Sequence, residues 1–144
     1  MTASDPFNLQ RFVAAQDGVY DAVRAELRAG RKRSHWMWFV FPQREGLGVS
    51  AMAQFYAISS MEEARAYLAH PALGPRLIEC AGLVNAVEGR SLLEIFGEPD
   101  RTKFCSCMTL FERAAPDQPV FARALEKYCG GARDPNALWP PALP

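Results

Sequence analysis

The sequence predicts an all-α fold of about seven or eight mostly short helices, and three observations carry that prediction. Apolar residues recur at i, i+3, i+4 and i+7 in several windows, capping residues stand ahead of most of those windows, and no Asn-Gly or Asp-Gly turn separates two alternating runs as a β-hairpin requires. Asp17-Gly18 lies between two helical stripes instead. No repeat of fixed period marks a helical solenoid, so the helices are expected to pack as one unit.

In chain order, Asp5-Pro6 reads as the N-cap and first helical residue of a helix carrying Leu9, Phe12, Val13 and Gln16, interrupted at Gly18. Val19, Tyr20, Val23 and Leu27 form the next stripe, closed by Gly30, because glycine accepts the left-handed conformation at a helix end. Trp36 to Phe41 is apolar at every position, so its period separates neither strand from helix. Pro42 ends it, and Gln43 to Val49 reads as a loop. Ser50 is expected to cap a helix through Ile58 that buries Met52, Phe55 and Tyr56, and Ser60 with Glu63 gives a capping-box pattern for Met61 to Ala69.

Leu73, Leu77, Ala81 and Val84 predict a helix from about Pro75 to Gly89, with Cys80 on the same side. Ser91 and Glu94 form a second capping box for the short Leu92, Ile95, Phe96 turn, which Gly97 closes. Asp100 is expected to cap the helix bearing Phe104, Cys107, Met108 and Phe111, and Asp117 to open one bearing Phe121, Ala124, Leu125 and Tyr128, finished by Gly130-Gly131. The organisation expected is one domain over residues 1–131, followed by a proline-rich tail over 132–144.

At 144 residues, with 49% hydrophobic and 22% charged residues, the chain has enough apolar material for a core without staples. Sixteen basic residues balance sixteen acidic ones, which argues against a non-specific duplex DNA binder and leaves anion attraction to local clusters. Met1 to Gln10 shows no signal-peptide pattern, and no apolar run approaches the roughly 20 residues of a membrane helix, so a cytoplasmic protein without membrane contact is expected. In that compartment Cys80, Cys105, Cys107 and Cys129 are expected as reduced thiols. Cys105-x-Cys107 lacks zinc-ligand spacing, so neither metal nor cofactor is expected.

The densest chemistry lies in Arg31-Lys32-Arg33-Ser34-His35-Trp36-Met37-Trp38. Guanidinium groups pair with phosphate oxygens and indoles stack on bases, so Arg31, Arg33, His35, Trp36 and Trp38 suit a flat anionic ligand. Gln43 would supply hydrogen bonds, with Tyr56 and Lys103 added from later in the chain. The same residues also read as a solvated helix end, where cations meet the negative pole of the helix dipole, followed by a core segment. A second cluster, Glu98, Asp100, Arg101, Thr102 and Lys103 with Ser106 and Thr109, marks a helix start able to receive an anion. No nucleophile elbow, phosphate loop, dinucleotide fingerprint or zinc helix is present.

Asp-Pro-Phe-Asn-Leu-Gln-Arg-Phe at 5–12, Gly-Arg-Lys-Arg-Ser-His-Trp-Met-Trp-Phe at 30–39, Phe-Pro-Gln at 41–43 and Met-Thr-Leu-Phe at 108–111 carry a resemblance over about 5–131. With His70-Pro71, Leu73-Gly74 and Ile95-Phe96-Gly97, they resemble the bacterial domain-of-unknown-function family numbered eighteen-ten. Its members are small helical cytosolic proteins, often labelled calpastatin. Calpain inhibitors of that name are disordered until bound, whereas this composition is that of a prefolded chain, so protease inhibition is rejected. A more distant similarity is to the YbiA-like, or NADAR, group. That similarity implies an ADP-ribose- or NAD-related ligand, or cleavage of an N-glycosidic bond, with no catalytic residue assigned. Glu63, Glu98 and Asp100 are the carboxylates available for such cleavage. The remaining alternative is a nonenzymatic module that docks protein or RNA through the basic triplet.

Overall fold

Among residues 5–138, which the computed structural model describes, the chain forms nine α-helices and a closing 3₁₀ turn, with no strand. The helices are α1 (Gln10–Asp17), α2 (Tyr20–Arg28), α3 (Met37–Val40), α4 (Ala51–Phe55) and α5 (Met61–Ala69). They continue as α6 (Leu73–Ala86), α7 (Leu92–Phe96), α8 (Asp100–Ala114) and α9 (Pro119–Tyr128), and the turn spans Pro135–Ala137. The all-α class is the one the sequence predicts. The count rises because Trp36 to Phe41 resolves into the single helical turn α3.

The core is built on α8, whose Phe104, Cys107, Met108 and Phe111 are fully buried. Helices α5, α7 and α9 pack against α8, and α6 bridges α2, α5 and α9. Removing each large α8 side chain from water contributes roughly 1.5–3 kcal/mol, which makes this helix the scaffold for whatever its ends present. The remaining core is aromatic: Phe104 stacks on Phe96 at 5.1 Å and meets Phe41 edge-on at the same distance. The buried Gln16 is fully partnered within it. Gln16 donates to the Phe39 carbonyl (2.7 Å) and the Tyr67 hydroxyl (3.1 Å) while accepting from Arg76.

Three serine caps form where expected: Ser50, Ser60 and Ser91 accept from the amides of Ala53, Glu63 and Glu94. Only Ser91 completes a full capping box, because the Glu63 carboxylate turns instead to Ser59 and Arg11. Other boundaries move. Asn8 adopts φ 52°, so the chain turns before α1 starts at Gln10, and Asp5 caps from a distance by accepting from Leu9 and Gln10. Helix α6 spans Leu73–Ala86, starting two residues before the expected Pro75, because His70 Nδ1 accepts from the amides of Ala72 and Leu73 and so caps it. Asp100 is no cap, since it stands inside the first turn of α8 with its carboxylate turned to two lysines. Helix α9 opens on Gln118-Pro119 rather than Asp117, with proline where its missing N–H costs nothing.

Two expectations fail outright. The helix from Ser50 ends at Phe55, and Met52 and Phe55 are 41% and 54% exposed, because α4 lies on the surface as part of a flap over residues 44–57. Ile58 then pairs with Arg44 as a parallel bridge that closes the base of the flap. The cysteines also divide: Cys80 and Cys107 are buried thiols as expected, but Cys105 and Cys129 are joined by a disulfide. Packing of α9 on α8 brings their Cα atoms to 6.0 Å, which spacing along the chain does not reveal.

Residues 132–138, at the start of the expected tail, lie against α8: Ser106 donates to Asp134, whose amide donates to Thr109 Oγ1, and Ala137 is buried. Pro140, Pro141 and Pro144 of that tail lie outside the described residues.

Candidate functional site

Glu26, at the end of α2, organises the basic segment. Its Oε1 accepts from the amides of Arg33 (2.6 Å) and Ser34 (3.0 Å) and from the Trp36 indole (3.0 Å), and its Oε2 accepts from the Ser34 hydroxyl (2.6 Å). Desolvation alone would raise this carboxyl. The bonds from Ser34, Arg33 and Trp36 outweigh that cost and hold its pKa down to about 2. One carboxylate thus fixes the turn that sends Trp36 inward, where it is 1% exposed against Phe41 and Phe96. Arg31, Arg33 and His35 remain on the exposed side of the turn.

The eight candidates therefore divide. Trp38, Gln43, Tyr56 and Lys103 line one crevice between α3, the flap and α8, while Arg31, Arg33 and His35 face solvent elsewhere and Trp36 is core. Trp38 stands two residues after Trp36, roughly 200° around the α3 turn, so one indole enters the core and the other reaches the crevice. Lys103 Nζ lies 5.4 Å over the Trp38 ring, and Lys32 Nζ lies 5.2 Å over Trp36. Asp100 sits between the two ammonium groups, at 3.0 Å from Lys32 and 3.5 Å from Lys103.

Sequence reasoning missed Arg44, which also lines the crevice. Its guanidinium donates to two backbone carbonyls, Asn136 at 2.7 Å and Glu45 at 2.8 Å, and pairs with no carboxylate among the described residues. Of the two cations that line the crevice, Arg44 has no carboxylate partner among the described residues and Lys103 shares Asp100 with Lys32. The volume of the crevice is about 10 Å³, room for a single water, and Gly48 and Ala53 of the flap, packed closely on each other, line it from above.

The other candidates have structural partners. Glu63, 1% exposed, pairs with Arg11 at 2.9 Å, and Glu98 pairs with Arg101 on the surface. Burial pushes the Cys80 thiol up to about 12 and raises that of Cys107, so neither is a ready nucleophile. A larger hollow, about 770 Å³, is a separate open groove between α7, the ends of α8 and α9, and residues 132–136. Cys105, Cys129, Arg101 and Arg133 lie along it, and none of the eight sequence candidates does. The groove depends on the α8–α9 pairing and on the return of residues 132–136; of the second cluster read from the sequence Arg101 and Thr102 line it, whereas Cys105 and Cys129 were expected as reduced thiols.

The chain matches, over residues 6–139, the family described as a protein of unknown function, DUF1810, and it belongs to that family. It is also similar to the crystal structure of a conserved hypothetical protein from Mycobacterium tuberculosis. The two are 62% identical with a TM-score of 0.91, covering 92% of this chain and 95% of that one. A comparison with curated proteins gives no match. These findings lend no support to the calpastatin label or to the YbiA-like (NADAR) similarity. Among the described residues no helix is long and apolar enough to cross a membrane, and no cluster of metal-ligating side chains occurs.

Proposed function

We propose that this DUF1810 protein binds a small anionic ligand with a flat ring, of nucleotide type, in the crevice beneath the 44–57 flap. One observation supports the reading above the rest: Arg44 and Lys103, together carrying more positive charge than Asp100 offsets, stand beside Trp38 and Tyr56 in the same crevice. The cations attract phosphate oxygens, the Trp38 face accepts a base, and the Gln43 amide both donates and accepts at a ring edge. Entry requires the flap to lift. Its tip carries Val49, Met52 and Phe55 in solvent, while Arg11 bonds to the Phe55 and Ala57 carbonyls and Tyr56 packs on Phe12 and Phe39, so the motion is one of the tip about that anchored base. Isothermal titration with ADP-ribose, NAD and mononucleotides tests the proposal. Binding should weaken by about 1–3 kcal/mol in Trp38→Ala, the usual worth of one stacked base. No heat with any member of that panel removes the reading.

Cleavage of an N-glycosidic bond is supported less well. Of the three carboxylates considered, only Asp100 touches a residue of the crevice, Lys103, and two lysines already hold it. The exposure of Arg31, Arg33 and His35 favours a second reading, a surface that docks acidic protein or RNA. Such binding weakens steeply between low and physiological salt, whereas a ligand enclosed under the flap is much less affected.

A further inference from the structure

The open groove carries an inference independent of the crevice. A bridge that served only as a staple would need no access, yet both Cys105 and Cys129 line the groove and are only partly buried. Two guanidiniums flank them. Arg101 stands one helical turn before Cys105 on α8, and Arg133 stands four residues after Cys129. Glu98, the partner of Arg101, is half-exposed, where an incoming carboxylate competes with it at little cost, and Arg133, though paired with the partly buried Glu112, keeps 44% of its side chain in solvent.

We propose that this groove is a binding site for a small thiol bearing carboxylates, which opens the Cys105–Cys129 bridge by thiol–disulfide exchange. The incoming thiolate attacks the Cys129 sulfur. A bond forms between the two sulfurs, the Cys105–Cys129 bond breaks, and its electron pair leaves on Cys105 as a thiolate. A second molecule of the same thiol then attacks the first at its sulfur, releasing a small-molecule disulfide and a Cys129 thiolate. In total two external thiols are oxidised and one protein disulfide is reduced.

The direction of attack follows from the two environments. Cys105 lies within α8 beside Arg101, and a nearby guanidinium stabilises the leaving thiolate. Cys129 caps α9 and is followed by Gly130 and Gly131, both at positive φ, so the chain there reorients easily once freed. The buried thiols of Cys80 and Cys107 stay protonated and cannot supply the nucleophile, which must come from outside.

Reduced glutathione is the probe, with its diethyl ester as a control of the same thiol and masked carboxylates. Intact-protein mass spectrometry after alkylation, followed by peptide mapping, gives the rate and position of the adduct on folded protein. Glutathione should react about tenfold faster than the diester, the advantage expected when charged hydrogen bonds seat the carboxylates. The adduct should lie on Cys129, and Arg101→Gln with Arg133→Gln should erase the preference while circular dichroism stays unchanged. Reaction only in denaturant, equal rates for the two thiols, an adduct on Cys105, or a preference that survives loss of both arginines would each overturn the proposal.

Discussion

Replacing Glu26 by Gln removes one negative charge and leaves the shape of the 31–36 turn in place. The glutamine carbonyl can still accept from the amides of Arg33 and Ser34 and from the Trp36 indole, and the Ser34 hydroxyl can rotate to accept from the new amide. What is lost is the difference between charged and neutral hydrogen bonds. The carboxyl falls from an ordinary 4.5 to about 2, and at about 1.4 kcal/mol per tenfold this corresponds to about 3 kcal/mol. Part of the carboxylate meets water, which screens the interaction, so a cost of about 1–2 kcal/mol is expected at neutral pH.

The sign with pH follows from the lowered value. A carboxyl that ionises more readily when folded contributes its full stability above the unfolded value of 4.5 and loses it as pH falls through 4.5 towards 2. Urea unfolding of the wild type and Glu26→Gln, followed by circular dichroism at several pH values, isolates this contribution because other titrations are common to both. The difference should be about 1–2 kcal/mol at pH 7 and fall below about 0.5 kcal/mol near pH 2. A difference that is the same at both ends of that range would refute the assignment of charge as the cause.

Arg11→Met should cost about 3–5 kcal/mol in chemical denaturation, because it leaves the Glu63 carboxylate buried without its cation and unties Phe55 and Ala57 from α1. Gly48→Ala places a Cβ 2.3 Å from that of Ala53, within the flap where both residues line the crevice, and should distort the flap over Trp38. Acrylamide quenching of Trp38 should rise, at a stability cost of about 1–3 kcal/mol, whereas unchanged quenching would show that the flap does not gate the crevice. Gly74→Ala meets the Leu68 carbonyl at 2.0 Å, a backbone atom that cannot step aside, so the melting temperature should fall well below that of Gly82→Ala, where the space is open. Ser91→Ala removes the one complete capping box and should cost about 1 kcal/mol in thermal unfolding.

Local signals were legible and long-range ones were not. Ser50, Ser60 and Ser91 cap where the sequence places them, and Gly30 and Gly97 adopt the left-handed backbone that ends α2 and α7. These depend on neighbours within a few residues. The α4 spacing, by contrast, shows that Met52 and Phe55 share a face but not whether anything covers it. Trp36 and Trp38 belong to a run with no polar position to mark its outer side, so only the fold separates the core indole from the crevice indole. Arg44 faces the crevice next to a carbonyl 92 residues away, and Cys105 finds Cys129 only after α9 has packed on α8.

The crevice and the groove lie on neighbouring faces of α8, since Arg101 and Thr102 turn to one and Lys103 to the other. Residues 133–137 connect them, because the Asn136 carbonyl that borders the groove also accepts from Arg44. That connection would transmit the state of the disulfide only if opening the bridge released the segment. It does not rest on the bridge alone: Arg133 pairs with Glu112, Asp134 accepts from Ser106 and donates to Thr109, and Ala137 is buried. With those contacts intact, Asn136 stays beside Arg44 when the sulfurs part. Coupling between sites needs an element with two states that both sites bias, and this anchored segment has one. Ligand binding under the flap and thiol exchange in the groove are therefore expected to be independent, and failure of either test leaves the other standing.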